Sequence, residues 1–208
     1  MNAPGFDPRD LTSEKKLWDI YLASRRIPFS RFNVVSTLVV FVLLIANAAF
    51  STEALAETTK LVRDMAANGF SISLSTLGFL LAGFTIFATV SQPNLSLSMA
   101  AITNKDSGLS FLKHNYFVFL RVFIYYIVFC VFSLSIVVFG HTGGLVSTIV
   151  SHTPNPDFAK FVIVKAAYVV LFTGYYFLIM QLKSFIFNIY HSVMTSLRWK
   201  AEGHDGAI

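Results

Sequence analysis

The stretch FSISLSTLGFLLAGFTIFATVSQ, residues 70–92, decides how this chain is read. It carries no charged side chain. At a rise of about 1.5 Å per residue it crosses the roughly 30 Å hydrocarbon core of a bilayer as a helix. Within it, Ser71, Ser75, Gly78, Ala82, Thr85, Thr89 and Gln92 follow one another at alternating steps of four and three. A spacing of about 3.5 residues places these small or hydroxylated groups in one stripe along a helix. Leu74, Leu77, Phe79, Leu81, Phe84 and Phe87 cover the remaining faces. Such a seam in an apolar helix lets a second helix approach closely, or gives a polar path.

The surrounding composition belongs with a membrane protein. The chain has 208 residues, of which 55% are hydrophobic and 13% charged, and 22 are Phe; the mean hydropathy is +0.64. A soluble domain carries about 25% charged residues. The formal charge of +5 points to cytoplasmic loops and anionic lipid. Nucleic-acid binding would need a basic face on a soluble domain, and no stretch reads as one. The first thirty residues are polar and charged and hold no apolar signal-peptide core. The single cysteine, Cys130, lies in an apolar run, so an intramolecular disulfide is excluded.

Four apolar stretches, about 34–50, 70–92, 112–139 and 161–182, read as spans. The fold class expected is all-α, a polytopic membrane protein of four transmembrane helices. Residues 1–31 form a cytoplasmic tail and an amphipathic juxtamembrane helix, 32–187 the transmembrane domain, and 188–208 a C-terminal helix and tail. The N-terminal helix is expected over 12–25, capped by Thr12 or Ser13, with Leu17, Trp18, Tyr21 and Leu22 as its apolar face. Pro28 ends it. Lys15, Lys16, Trp18, Arg25 and Arg26 suit either an anionic membrane surface or an ordinary juxtamembrane packing face. The first span is expected to run on as an exposed helix to Asn68-Gly69, which reads as a stop. Pro93-Asn94 ends the second span. The patch at 145–150 is too short to cross.

With both ends inside, twelve Lys and Arg fall on the inner side and four, Lys60, Arg63, Lys160 and Lys165, on the outer. The positive-inside rule therefore predicts cytoplasmic termini.

Arg121 lies about two turns inside the third span. None of the four spans holds Asp or Glu, so this cation must find lipid phosphate, a backbone carbonyl, Gln92 or an anion, or else snorkel. Lys165, near a helix end, reads as snorkelling. Asn47 reads as a helix–helix hydrogen bond. His141 and His152 share one loop without a carboxylate or thiolate at ligand spacing, so no metal is expected. Without intramembrane acids there is no acid–base pair for hydrolysis or proton coupling, and no phosphate loop follows a strand. The expectation is a protein without enzymatic activity and without a cofactor.

The run Leu77-Gly78-Phe79-Leu80-Leu81-Ala82-Gly83-Phe84-Thr85-Ile86-Phe87, followed by a polar turn and an aromatic third span, resembles a group of small, uncharacterised bacterial four-span proteins. The resemblance covers about residues 70–182 in hydropathy and residue flavour. It implies a bacterial inner-membrane protein, and some proteins of that shape permeabilise membranes in antiphage systems on a signal from a partner. Two main readings and a third option follow. One is a homo-oligomeric membrane effector or pore component. The other is an anchor or scaffold that recruits a cytoplasmic partner protein; a small channel or exporter subunit is the third option.

Overall fold

The computed structural model of the chain describes residues 7–90 and 93–203, with the backbone alone at Val90. All regular structure among these residues is helical; Thr103 and Ser110 form an isolated antiparallel bridge. A 3-10 turn at Pro8–Thr12 is followed by α1 (Leu17–Ser24), α2 (Arg31–Phe50), α3 (Leu55–Val90), α4 (Pro93–Ala101), α5 (Phe111–Phe139), α6 (Leu145–Ser151) and α7 (Pro156–Ala201). Among the described residues, α2, α3, α5 and α7 are long and apolar enough to cross a membrane. That number of long apolar helices supports a multi-pass membrane architecture.

Two expectations about helix limits change. The turn after the first span lies at 51–54, and α3 runs from Leu55 straight through Asn68-Gly69. Gly69 does not stop the helix. A Cβ there would lie 2.9 Å from both Ser133 Oγ and Tyr175 Oη. Its missing side chain serves close approach instead of a left-handed cap. The N-terminal helix is also shorter than expected. Asp7 accepts from Arg9 N–H at 2.9 Å and starts a separate turn at Pro8. The Thr12 and Ser13 hydroxyls donate back to Arg9 and Asp10 carbonyls within that turn. The Asp19 carboxylate accepts from the N–H groups of Lys15 and Lys16 at 3.2 and 3.0 Å, which starts α1. The fourth span and the C-terminal helix form one element, in line with a helical pattern that runs on through Phe185, Ile189, Ser192 and Ser196 to Trp199. Pro156 opens α7 at a position where its missing N–H is not needed, and no further proline occurs before the left-handed Gly203 (φ 78°).

The chain divides into two compact units. The first holds Met1–Phe29, Gly78–Ile124 and Gln181–Ile208. Its centre is aromatic. Phe119, 1% exposed, lies 4.7 Å from the Phe87 ring and 5.2 Å edge-on to Phe185. Phe84 stands edge-on to Tyr116, Phe119 and Phe123. Beside it, Ile27, Leu109 and Phe117 form a buried cluster against which Ile20 and Ala23 of α1 pack. The turn before α5 closes on Asn104, whose side-chain oxygen accepts from Asp106 and Ser107 N–H, while Gly108 takes φ 67°.

The second unit holds Ser30–Leu77 and Tyr125–Met180. Phe129 fills the space that Gly174 leaves open; a Cβ there would meet the ring at 2.5 Å. Buried polar groups find backbone acceptors on neighbouring helices. Tyr175 Oη donates to Met65 O at 2.6 Å, Tyr126 Oη to Leu178 O at 3.1 Å, and Asn33 Nδ2 to Met180 O at 3.1 Å. Asn47 Nδ2 donates to Tyr168 Oη at 2.9 Å, the helix–helix bond its position suggested. Only Asn33 and Ala48 of α2 are buried. An apolar helix left open on most of its surface is stable in hydrocarbon and unstable in water.

Candidate functional site

Two stripes run along α3, and they compete for the same role. Thr58, Val62, Ala66, Gly69, Ser73, Leu80 and Phe87 are buried. They repeat at steps of three, four and seven, and form the face on which α3 packs within the chain. Ser71, Ser75, Gly78, Ala82, Thr85 and Thr89 are all exposed. They sit two residues further on, or about 200° around a helix, and so point the opposite way. The seam is thus not the surface on which helices of a single chain pack. A Cβ added at Gly78 meets nothing within 4 Å, whereas one at Gly83 would lie 2.8 Å from Ile189 Cδ1. Gln92, the last residue of the seam, lies outside the described residues.

The hydroxyls of Ser75, Thr85 and Thr89 are satisfied locally. Ser75 Oγ donates to Ser71 O at 3.0 Å, Thr85 Oγ1 to Leu81 O at 2.9 Å, and Thr89 Oγ1 to Thr85 O at 3.0 Å. Back-bonding of this kind lets Ser and Thr sit on an exposed apolar helix without an orphan donor. The result is a smooth, narrow strip bordered by Leu74, Phe79, Leu81 and Ile86, which are exposed as well.

Arg121 does not snorkel. It is 6% exposed, and its Nη1 donates to Ser24 O at 3.1 Å and Ile27 O at 2.8 Å. Its guanidinium carbon lies 4.3 Å from the centre of the Phe29 ring. The cation therefore caps the C-terminal end of α1 and holds the segment leading to α2. Carbonyls at a helix end carry partial negative charge, so they are natural partners for a buried cation. A second tie lies nearby in sequence: Lys113 Nζ donates to Ser13 Oγ at 2.6 Å and to both Glu14 carboxylate oxygens at 2.9 and 2.7 Å.

Of the surface residues, Lys15, Lys16, Trp18, Arg25 and Arg26 are all exposed. Trp18 is 63% exposed, packed only 5.1 Å from Tyr21. Leu17 and Leu22 share its exposure, while Ile20 and Ala23 form the face of α1 that packs inward. Lys165 Nζ stands 5.8 Å from the Phe161 ring. His141 and His152 each bond through Nδ1 to a backbone carbonyl of their own turn, at 2.8 Å. His204 lies outside the described residues.

In the sequence Arg63 counts only as one of the four outer-side charges of an exposed helix. Its Nε donates to Gly140 O at 2.7 Å and its Nη1 to Thr142 Oγ1 at 3.2 Å, which fixes the guanidinium over a cavity of about 380 Å³. No local pattern announces that contact, because its partners are more than seventy residues away. The chain matches no protein-family model, no curated protein and no solved structure.

Proposed function

We propose that this protein is a homo-oligomeric effector of the cell inner membrane, a pore component that permeabilises or depolarises the bilayer when triggered. The observation that supports this is the exposed seam on α3. Small residues on a lipid-facing helix offer a neighbouring copy the closest approach available in a membrane, and hydroxyls on the same strip can face water in a lumen. On this reading both termini are cytoplasmic, which puts twelve of the sixteen Lys and Arg residues inside. No chemistry is assigned, since the apolar stretches 34–50, 70–92, 112–139 and 161–182 hold no Asp or Glu.

The test is Gly78→Leu and Ala82→Leu. Both positions are exposed and Gly78 has open space around it, so neither substitution disturbs the fold of one chain. Expected is normal membrane insertion with loss of self-association and of the depolarisation seen with a potential-sensitive dye on induced expression. Full activity in both variants refutes the reading.

A second reading, a membrane-bound scaffold, is favoured by the exposed ridge of Leu17, Trp18 and Leu22 with its flanking Lys and Arg. Deleting the N-terminal segment is a poor test, because Arg121 would lose its carbonyl partners. Trp18→Ala combined with Lys15→Gln and Lys16→Gln removes the ridge and leaves those bonds in place. Loss of function with unchanged self-association favours the scaffold; retained function counts against it.

A further inference from the structure

From its cavities, we infer that the second unit holds a glycerophospholipid, with the phosphate on Arg63 and Lys160 and one acyl chain in an apolar compartment between α3, α5 and α7. The site has two adjoining parts. The mouth, about 380 Å³, is lined among others by Arg63, Thr142, Ser147, Asp157 and Lys160. The second part, about 270 Å³, is lined by Phe132, Phe139, Val164 and Ala167. Thr59, Arg63, Gly140, Val146, Ile163 and Val164 line both, so the two are continuous.

The chemistry of each part selects its occupant. Arg63 uses two of its five N–H groups to hold its place against Gly140 and Thr142, which leaves three donors on a fixed, planar fork. Among the described residues, neither Arg63 nor Lys160 forms an ion pair. With Asp157 also at the mouth, the local charge is +1, the complement of one phosphodiester. Arg and Lys together at a fixed opening suit phosphate oxygens. The deeper part offers a ligand almost nothing to hydrogen-bond. Its Thr59 and Ser135 hydroxyls already donate to Leu55 O and Val131 O at 2.7 and 2.8 Å, and the Gly140 carbonyl is taken by Arg63. Position along the helices agrees. The mouth lies where α5 ends at Phe139 and α7 begins at Pro156, which is headgroup level for spanning helices, and the apolar part lies one to two turns deeper. A free anion would leave the apolar part unused; a diglyceride would leave the cations unused.

The experiment is native mass spectrometry of the full chain in maltoside detergent. It is titrated separately with dioleoyl phosphatidylglycerol, with dioleoylglycerol, which lacks the phosphate, and with inorganic phosphate, which lacks the tails. Expected is one tightly held phosphatidylglycerol per chain, with the other two probes at least about tenfold weaker. A charged hydrogen-bond partner is commonly worth that factor or more. Arg63→Gln and Lys160→Gln should each weaken phosphatidylglycerol by about tenfold, Ala167→Phe should weaken it by blocking the apolar part, and Lys165→Gln should change nothing. Lys160 is exposed and makes no structural bond, so its variant reports even where Arg63→Gln disturbs the loop at Gly140. Equal phosphatidylglycerol binding in wild type, Lys160→Gln and Ala167→Phe overturns the assignment. So does phosphate, or diglyceride, binding as tightly as the phospholipid.

Discussion

Replacing Arg121 by Met should release the N-terminal segment while leaving the spans intact. Met keeps most of the length and apolar bulk and removes the donors and the charge. Two hydrogen bonds vanish, to Ser24 O and Ile27 O, along with the stacking on Phe29. The two carbonyls do not suffer equally. Ser24 O still accepts from Ile27 N–H at 3.0 Å, whereas Ile27 O depends on the arginine. One orphaned carbonyl in a site that is otherwise dry costs about 1–3 kcal/mol. A cation over an aromatic face adds about 0.5–2 kcal/mol. Against these stands the desolvation of the guanidinium, which the wild type bears and the variant does not. The net loss is about 1–3 kcal/mol, equivalent to opening the segment roughly 5- to 150-fold more often. Hydrogen exchange of residues 17–29 in lipid nanodiscs measures this directly, with cleavage by trypsin after Arg25 and Arg26 as a second readout. Exchange of α5 itself should stay slow. If residues 17–29 exchange within about threefold of wild type, the arginine is not what holds the segment and the estimate above is wrong in kind.

Three further outcomes follow from the same geometry. Gly174→Ala should destabilise the second unit by about 1–3 kcal/mol, because the new methyl meets the Phe129 ring, itself hemmed in by Gly69; thermal unfolding in detergent checks it. Glu14→Gln removes the ion pair with Lys113 and should raise exchange over residues 8–16 by a factor of about five, an effect that shrinks in the wild type as salt rises. Thr85→Val keeps the shape of the seam and removes one hydroxyl; crosslinking should show self-association unchanged, and single-channel recording a lower conductance where that face lines a lumen.

The four spans are legible from composition because a bilayer imposes length and apolarity on any helix that crosses it, and Asn47 is legible as a helix–helix bond because a lone amide there has few other uses. The limits of α3 are not. Asn68-Gly69 carries the local signature of a stop, but the same missing side chain that permits a turn also permits contact with Ser133 and Tyr175, and only the packed structure distinguishes the two. The seam itself is plain in the sequence; its direction is not. Ala66, Gly69 and Ser73 form a rival stripe of equally small residues on the opposite side. Which stripe turns inward depends on what α5 and α7 present, with Phe129 and Tyr175 filling the space above Gly69. The roles of Arg121 and Arg63 were hidden for a related reason. Each is held by carbonyls far along the chain, and a carbonyl leaves no mark in a sequence.

What makes the exposed seam informative is how little it demands of a single chain in lipid. Its donors at Ser75, Thr85 and Thr89 are already bonded to the preceding turn, so acyl chains can cover most of it without stranding a polar group. Nothing forces association. Yet Gly78 and Ala82 keep the surface low enough for a second backbone to come close, and packing of that kind is the main attraction between helices in a membrane. On the proposed function, lone and assembled states therefore lie within a few kcal/mol of each other, the gap that a modest trigger can tip. A packing face buried in every copy gives no such choice, because its energy is already committed to the fold of one chain. On this argument the stripe opposite the core, and not the core itself, is where a signal-dependent change in assembly can be built. On the proposed function, the back-bonding of Ser75, Thr85 and Thr89 is what allows a waiting state to exist.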